Sequence, residues 1–174
     1  LGSASDVDLA VEAASAAFDQ FSQTTKMDRL DLLKSVMVIT ERRIEDLAQA
    51  MRMEMGAPIT MARSSQADAA IGHLQGFIDA LEEHNERTKL TNGDIMVHEP
   101  VGVCGLITPW NWPINQITLK VLPALATGCT CILKPSEHTP ISAMIYAEIL
   151  NEAGYPKGAV SYTHLRAHET WSYR

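Results

Sequence analysis

The chain has 174 residues, is 46% hydrophobic and 20% charged, and carries a formal net charge of −7; at this length a single core can bury roughly 70% of the extended surface, so a stable globular unit is expected. The acidic balance, with no basic run, argues against nucleic acid or an anionic membrane as a partner. No apolar stretch approaches the ~20 residues that span a bilayer, and the N-terminus lacks the charged-then-apolar order of a signal peptide, so a cytoplasmic protein is expected.

The cysteines are three, Cys104, Cys129 and Cys131, all in apolar, strand-like context. An odd number in that setting predicts no structural disulfide.

In chain order, residues 5–20 read as a first helix. Ser5 is its expected N-cap, Asp6 and Asp8 lie near the positive end of the dipole, and Val7, Val11, Ala14 and Phe18 run along one face. A turn follows at 22–25. Leu30, Leu33, Met37, Ile44, Leu47 and Met51 then recur at spacings of three, four and seven, which predicts a helical block over 26–55, stopped by Gly56 and Pro58. A third helix is expected over 60–86, with a weaker stripe of Ile71, Leu74, Ile78 and Leu81 and with Gly72 and Gly76 inside it. Over 88–100 the pattern changes: Asn92-Gly93 is a tight-turn pair, and Ile95 and Val97 alternate with Met96 and His98, as in a β-ribbon.

Residues 101–107 form a short apolar run that breaks at Thr108-Pro109. A helical pattern resumes after Asn111-Trp112-Pro113, and a second apolar run, 129–133, lies between Gly128 and Lys134-Pro135. Two strands joined by a helix make a βαβ unit with parallel strands. Open parallel sheets bind ligands at the carboxyl ends of their strands, so 108–111 and 134–137 should lie side by side at a site edge. A further helix over 139–152, with Thr139 as N-cap, Pro140 at its first position and Gly154 beyond its end, leads to a third strand starting at Ala159-Val160. The expected fold is α/β: an incomplete Rossmann-like parallel sheet (β-α-β-α-β) preceded by a helical segment and a β-ribbon. Residues 1–160 form the unit, divided into a helical front (1–87), the ribbon (88–100) and the sheet half (101–160). Residues 161–174, SYTHLRAHETWSYR, show no apolar period and read as a foreign or frameshifted tail.

The run EPVGVCGLITPWNWP, followed by LKVLPALATGCTCILKPSEHTP and NEAGYPKG, resembles the cofactor-binding domain of the NAD(P)-dependent aldehyde dehydrogenase superfamily. The resemblance is close over 99–158, and the helices up to Gly56 fit the family's opening. It implies that Asn111, the Asn of the P-W-N motif, donates its amide to the oxyanion of a Cys thiohemiacetal, a kind of contact that contributes about 3 kcal/mol to the transition state. Ile107, Thr108, Pro109 and Trp110, with Asn111, would line the nicotinamide end of the cofactor. Lys134 and Glu137 match the K-P-x-E motif that holds the adenosine ribose, with Ser136 inside the same motif. A carboxylate there accepts from both ribose hydroxyls and repels a 2′-phosphate, while Lys134 acts the other way, so NAD is the expected cofactor and NADP remains possible. Trp112, Asn115, Gln116 and Leu119 would line a substrate tunnel for a small aldehyde, and Lys120 would support the general base through a relay. The ribbon resembles the one that joins the family's oligomerisation sheet, so a homo-oligomer is implied for the full-length protein.

The departures bear on activity. The family nucleophile is a Cys after Gly-Gln, the general base is a Glu ahead of Leu-Gly-Gly, and the pyrophosphate turn follows F-T-G-S; none of these motifs occurs in the 174 residues. The chain is therefore expected to be an inactive fragment of an enzyme that oxidises aldehydes to carboxylic acids, and the alternative is a non-catalytic nucleotide-binding or interaction module. Locally, Asn111 could instead be a helix N-cap and K-P-x-E a surface ion pair. No metal is expected: Cys129-x-Cys131 lacks a second ligand pair, and His164 and His168 lie in a segment with no helical pattern.

Overall fold

The computed structural model describes residues 2–162. Helix α1 (Ala4–Phe21) starts at Ser3, not at the expected Ser5. The reason is Asp6, whose carboxylate accepts from the Ser3 amide at 2.6 Å and from its hydroxyl at 2.7 Å, so the reciprocal cap forms two residues upstream. Helix α2 (Lys26–Arg42) is capped the same way: the Thr25 amide donates to Asp28 at 2.8 Å and the Asp28 amide to the Thr25 hydroxyl at 3.2 Å.

The expected block over 26–55 is two helices. The chain bends at Arg43 (φ −102°, ψ 14°) before α3 (Ile44–Met55), which ends at Gly56 in the left-handed region (φ 70°). Arg43 is held at the bend by Asp46 at 2.9 Å and Glu148 at 2.7 Å. Periodicity runs through this bend, because Leu30, Leu33 and Leu47, Met51 all reach the same core. The expected helix over 60–86 is also subdivided. A short turn α4 (Ile59–Met61) leads into a π-helical segment (Ala62–Ala67) and then α5 (Ala69–Glu83), which ends three residues early. The wider turn buries Ala62, Gln66 and Ala67 together.

Strands β1 (Arg87–Lys89) and β2 (Ile95–Val97) pair antiparallel with Thr88 opposite Met96, and the turn between them passes through Gly93 at φ 95°. Beyond this ribbon come β3 (Val103–Ile107), α6 (Pro113–Ala126), β4 (Thr130–Lys134), α7 (Pro140–Glu152) and β5 (Val160–Tyr162). The three strands are parallel, in the order β3-β4-β5. Helix α1 crosses one face, where the Thr130 hydroxyl donates to the Ala14 carbonyl at 2.8 Å. Ile114, Ile117, Val121 and Leu122 of α6 join Cys131 and Leu133 in the main core, with Tyr146 and Ile149 of α7. Each large apolar side chain buried there contributes about 1.5–3 kcal/mol. Gly158 (φ 89°) closes the contact with α1, since a Cβ there would come within 2.4 Å of the Ala13 carbonyl oxygen.

Strand β5 continues through Ser161 and Tyr162, opposite Ile132 and Leu133. Backbone pairing thus carries the strand two residues past Val160, beyond the end of the apolar pattern. The rest of the expected tail, with His164 and His168, lies outside the described residues. Among the described residues no helix is long and apolar enough to cross a membrane.

Candidate functional site

The carboxyl ends of β3 and β4 coincide. Ile107 is in register with Lys134, and the Thr108 amide donates to the Lys134 carbonyl at 3.2 Å. Past that bond Thr108 is buried, whereas Ile107, Pro109, Trp110 and Asn111 are exposed. The Trp110 ring stands edge-on to His138, 6.3 Å between centroids. Residues 108–111 and 134–137 therefore form adjacent walls, as the βαβ reading requires.

Helix α6 takes Trp112, not Asn111, as its N-cap residue (φ −153°, ψ 75°), with Pro113 at the first helical position. The N-cap role considered for Asn111 is therefore not the one it has. Its carboxamide makes no hydrogen bond among the described residues and projects from an exposed position. Trp112 is anchored by its indole N–H, which donates to the Gln66 carbonyl of the π-helical segment at 3.3 Å.

Helix α6 buries Ile114, Ile117, Thr118, Val121, Leu122 and Leu125. Asn115, Gln116, Leu119 and Lys120 occupy the opposite side, at the i+3, i+4, i+7 and i+8 positions from Trp112, partly or fully exposed. The substrate candidates thus share one helix face. Behind that face, His73 Nδ1 lies 2.8 Å from the Thr118 hydroxyl, which itself donates to the Ile114 carbonyl at 2.8 Å. With the hydroxyl proton committed, the imidazole Nδ1 is the donor. Burial lowers the His73 pKa, which favours the neutral ring.

Lys134 is 8% exposed, yet its ammonium has only a long hydrogen bond to the Pro135 carbonyl, at 3.5 Å, and no ion pair among the described residues. Burying an ammonium that poorly satisfied is costly unless a ligand's oxygens complete its shell. Ser136, also buried, accepts from the His138 amide at 3.3 Å, and Glu137 is half-buried beside them. One ammonium, one carboxylate and one hydroxyl thus gather at the end of β4, a donor and acceptor set that fits vicinal sugar hydroxyls.

One part of this region has no local sequence signal. Thr139 occupies the N-cap position of α7 but makes no side-chain cap bond, and Pro140 has no N–H. Glu54, from the end of α3, supplies the cap: its carboxylate accepts from the Ile141 amide, from the Ser142 amide at 3.1 Å and from the Ser142 hydroxyl at 2.7 Å.

The thiols stand apart from this edge. Burial pushes Cys131 up to about 12 and raises Cys104, which also touches Cys129, so the Cys131 and Cys104 thiols stay protonated, as structural cysteines do. A cleft of about 620 Å³ opens at the start of β4, lined by Arg29, His84, His98 and Cys129 among others. Its size would suit a ligand, but it lies away from the strand ends where 108–111 and 134–137 meet. Among the described residues no group of three or more His, Cys, Asp or Glu is placed to hold a metal ion.

The match to known proteins follows the same lines. A family model described as the aldehyde dehydrogenase family aligns with residues 1–172. A 3-succinoylsemialdehyde-pyridine dehydrogenase from a Pseudomonas species is 48% identical over 159 residues, which cover 91% of this chain and 33% of that one. The crystal structure of an aldehyde dehydrogenase from Bartonella henselae superposes with a TM-score of 0.96 at 44% identity, over 99% of this chain and 37% of that one. A mutant of aldehyde dehydrogenase C from Pseudomonas syringae, crystallised with NAD+ and octanal, gives 0.94 at 44% identity, over 98% and 35%. The chain spans about a third of the length of these relatives. With the strand ends, the P-W-N turn and the K-P-x-E segment all in place, this chain belongs to the aldehyde dehydrogenase family.

Proposed function

We propose that the protein carrying this chain oxidises an aldehyde to a carboxylic acid with NAD(P), and that these residues contribute the cofactor cradle and one carbonyl-polarising amide. The observation that carries the reading is the buried Lys134 ammonium, short of partners at the end of a parallel strand. Lys134, Ser136 and Glu137 hold the adenosine ribose, and Ile107, Thr108, Pro109 and Trp110 form the wall toward the nicotinamide. When bound, NAD supplies the hydride acceptor. Asn111 is the oxyanion donor; its carboxamide, uncommitted to the helix cap, supports that role. Trp112, Asn115, Gln116 and Leu119 line the aldehyde's approach, and Lys120, one helical turn from Gln116, assists the general base indirectly. The exposed ribbon residues Ile95, Met96 and Val97 suit a homo-oligomeric sheet in the full-length protein.

The covalent step needs a nucleophilic thiolate and a general base. Neither family motif occurs in these 174 residues, so Leu1 to Arg174 alone should show no aldehyde-dependent NAD reduction. A rate above the no-enzyme blank with acetaldehyde or benzaldehyde would overturn that part. In the full-length protein, Asn111→Ala should lower kcat about 100-fold while the calorimetric dissociation constant for NAD stays within about twofold, and Lys134→Ala should weaken NAD about tenfold or more. Unchanged NAD affinity in Lys134→Ala would sink the cradle assignment. NAD binding without turnover of any aldehyde would favour the non-catalytic module.

A further inference from the structure

Helix α7 begins three residues after Glu137, the carboxylate assigned to the ribose. The N-terminus of a helix attracts anions through its free amides and its dipole. A 2′-phosphate on that ribose would be the nearest anion to reach this one. The site is already filled: Pro140 offers no N–H, and the next two amides, of Ile141 and Ser142, both donate to Glu54, which also takes the Ser142 hydroxyl. Tyr162 donates to the Pro140 carbonyl at 3.2 Å and packs against the same turn. Glu54 thus closes this helix start from 86 residues upstream, and its charge offsets the positive end of α7.

We infer that Glu54 is a cofactor-selectivity residue: by occupying the amides at the start of α7, it denies them to a 2′-phosphate and favours NAD over NADP. The inference rests on the assignment of Lys134 and Glu137 to the adenosine ribose. Glu137 and Glu54 then act in sequence along one short loop: the first accepts from the hydroxyls, and the second removes the anion site that would reward replacing one of them with phosphate. A role confined to folding would instead weaken both cofactors together.

The test is steady-state kinetics of the full-length protein with each cofactor at saturating aldehyde. Glu54→Gln keeps the shape and removes the charge, so the ratio of kcat/KM for NADP to that for NAD should rise roughly five- to tenfold. The value for NAD itself should change less than about threefold on the same grounds. Glu54→Ala, which frees both amides, should raise the ratio at least as much; if it does not fold, Glu54→Gln carries the comparison. A ratio within twofold of the parent, or a parallel loss for both cofactors, overturns the inference. Glu137→Gln separates the two levels. If it alters neither affinity nor selectivity, the ribose assignment itself fails; if it weakens NAD while Glu54→Gln leaves the ratio unchanged, only the selectivity role fails.

Discussion

Two buried cations, at opposite ends of the sheet, have opposite surroundings. Arg29 is 3% exposed, and each of its three nitrogens has a partner: its Nε donates to the Ala126 carbonyl at 2.9 Å, and its terminal nitrogens bond the Thr24 carbonyl and Glu86. It ties the start of α2, the end of α6 and the base of the ribbon into one joint. Lys134 is nearly as buried and has one long bond. A cation bonded through all its nitrogens inside the fold acts as part of the scaffold, whereas one left short of partners at the end of a parallel strand is what the proposed cofactor cradle calls for.

The comparison breaks if both cations behave alike when removed. Arg29→Ala should cost about 3 kcal/mol in urea unfolding, because it strands the Ala126 and Thr24 carbonyls and leaves Glu86 without its partner. Glu86 is itself 43% exposed, which holds the ion-pair share to the smaller part of that figure. A loss below about 1 kcal/mol would mean that water replaces the guanidinium with ease, and the scaffold reading would go.

Lys134→Met should behave in the opposite way. Removing a poorly paired buried charge while keeping the apolar stem should leave stability unchanged or raise it by about 1 kcal/mol. A marked destabilisation, measured beside Arg29→Ala, would make Lys134 another scaffold cation and weaken the case for a ligand.

An unsatisfied buried group does not by itself mark a site. Among the described residues, the Tyr146 hydroxyl and the Gln66 amide oxygen are also buried without partners. Tyr146 sits in the middle of the core on α7, where burial raises its pKa well above the usual range. Tyr146→Phe should therefore be neutral or stabilising by up to about 1 kcal/mol in the same unfolding assay. A clear loss of stability would reveal a hidden partner for the hydroxyl.

Much of this was readable from the residues. The βαβ unit announced itself through two apolar runs and their Gly and Pro boundaries, and the pairing of Ile107 with Lys134 brought the two expected walls together. The bend at Arg43 and the π-helical turn before α5 were not readable, because both preserve the spacing of the apolar residues they connect. The start of α1 was misplaced because Ser3 and Ser5 are equally good caps and only Asp6 chooses between them. Glu54 was invisible for a different reason. It caps a helix whose first residue is 86 positions away, so no local motif could connect the two, and the capping residue expected from position alone, Thr139, makes no cap bond. Long-range side-chain to backbone bonds are the class of contact that periodicity cannot report.

The smallest expected effect belongs to carboxylates that take no part in the contrast between Arg29 and Lys134. Glu45 accepts two bonds from Arg63, at 2.6 and 2.7 Å, and one from Gln49; these hold its carboxyl down to about 2 from an ordinary value of 4.5. Asp6 and Asp28 are lowered by the serine and threonine they cap. All three are exposed. For each the folded state binds its proton more weakly than the unfolded chain does, so the stabilisation is complete above the unfolded pKa and is lost as pH falls. For Glu45 the window runs from 4.5 down to about 2. Acid titration of stability in the parent and in Arg63→Ala should converge only as pH falls to about 2 and separate slightly above pH 5, with the parent higher. Because the pair is exposed, the gap should close in about 1 M salt. A gap that instead survives salt would place Glu45 in a drier setting than its position on α3 allows.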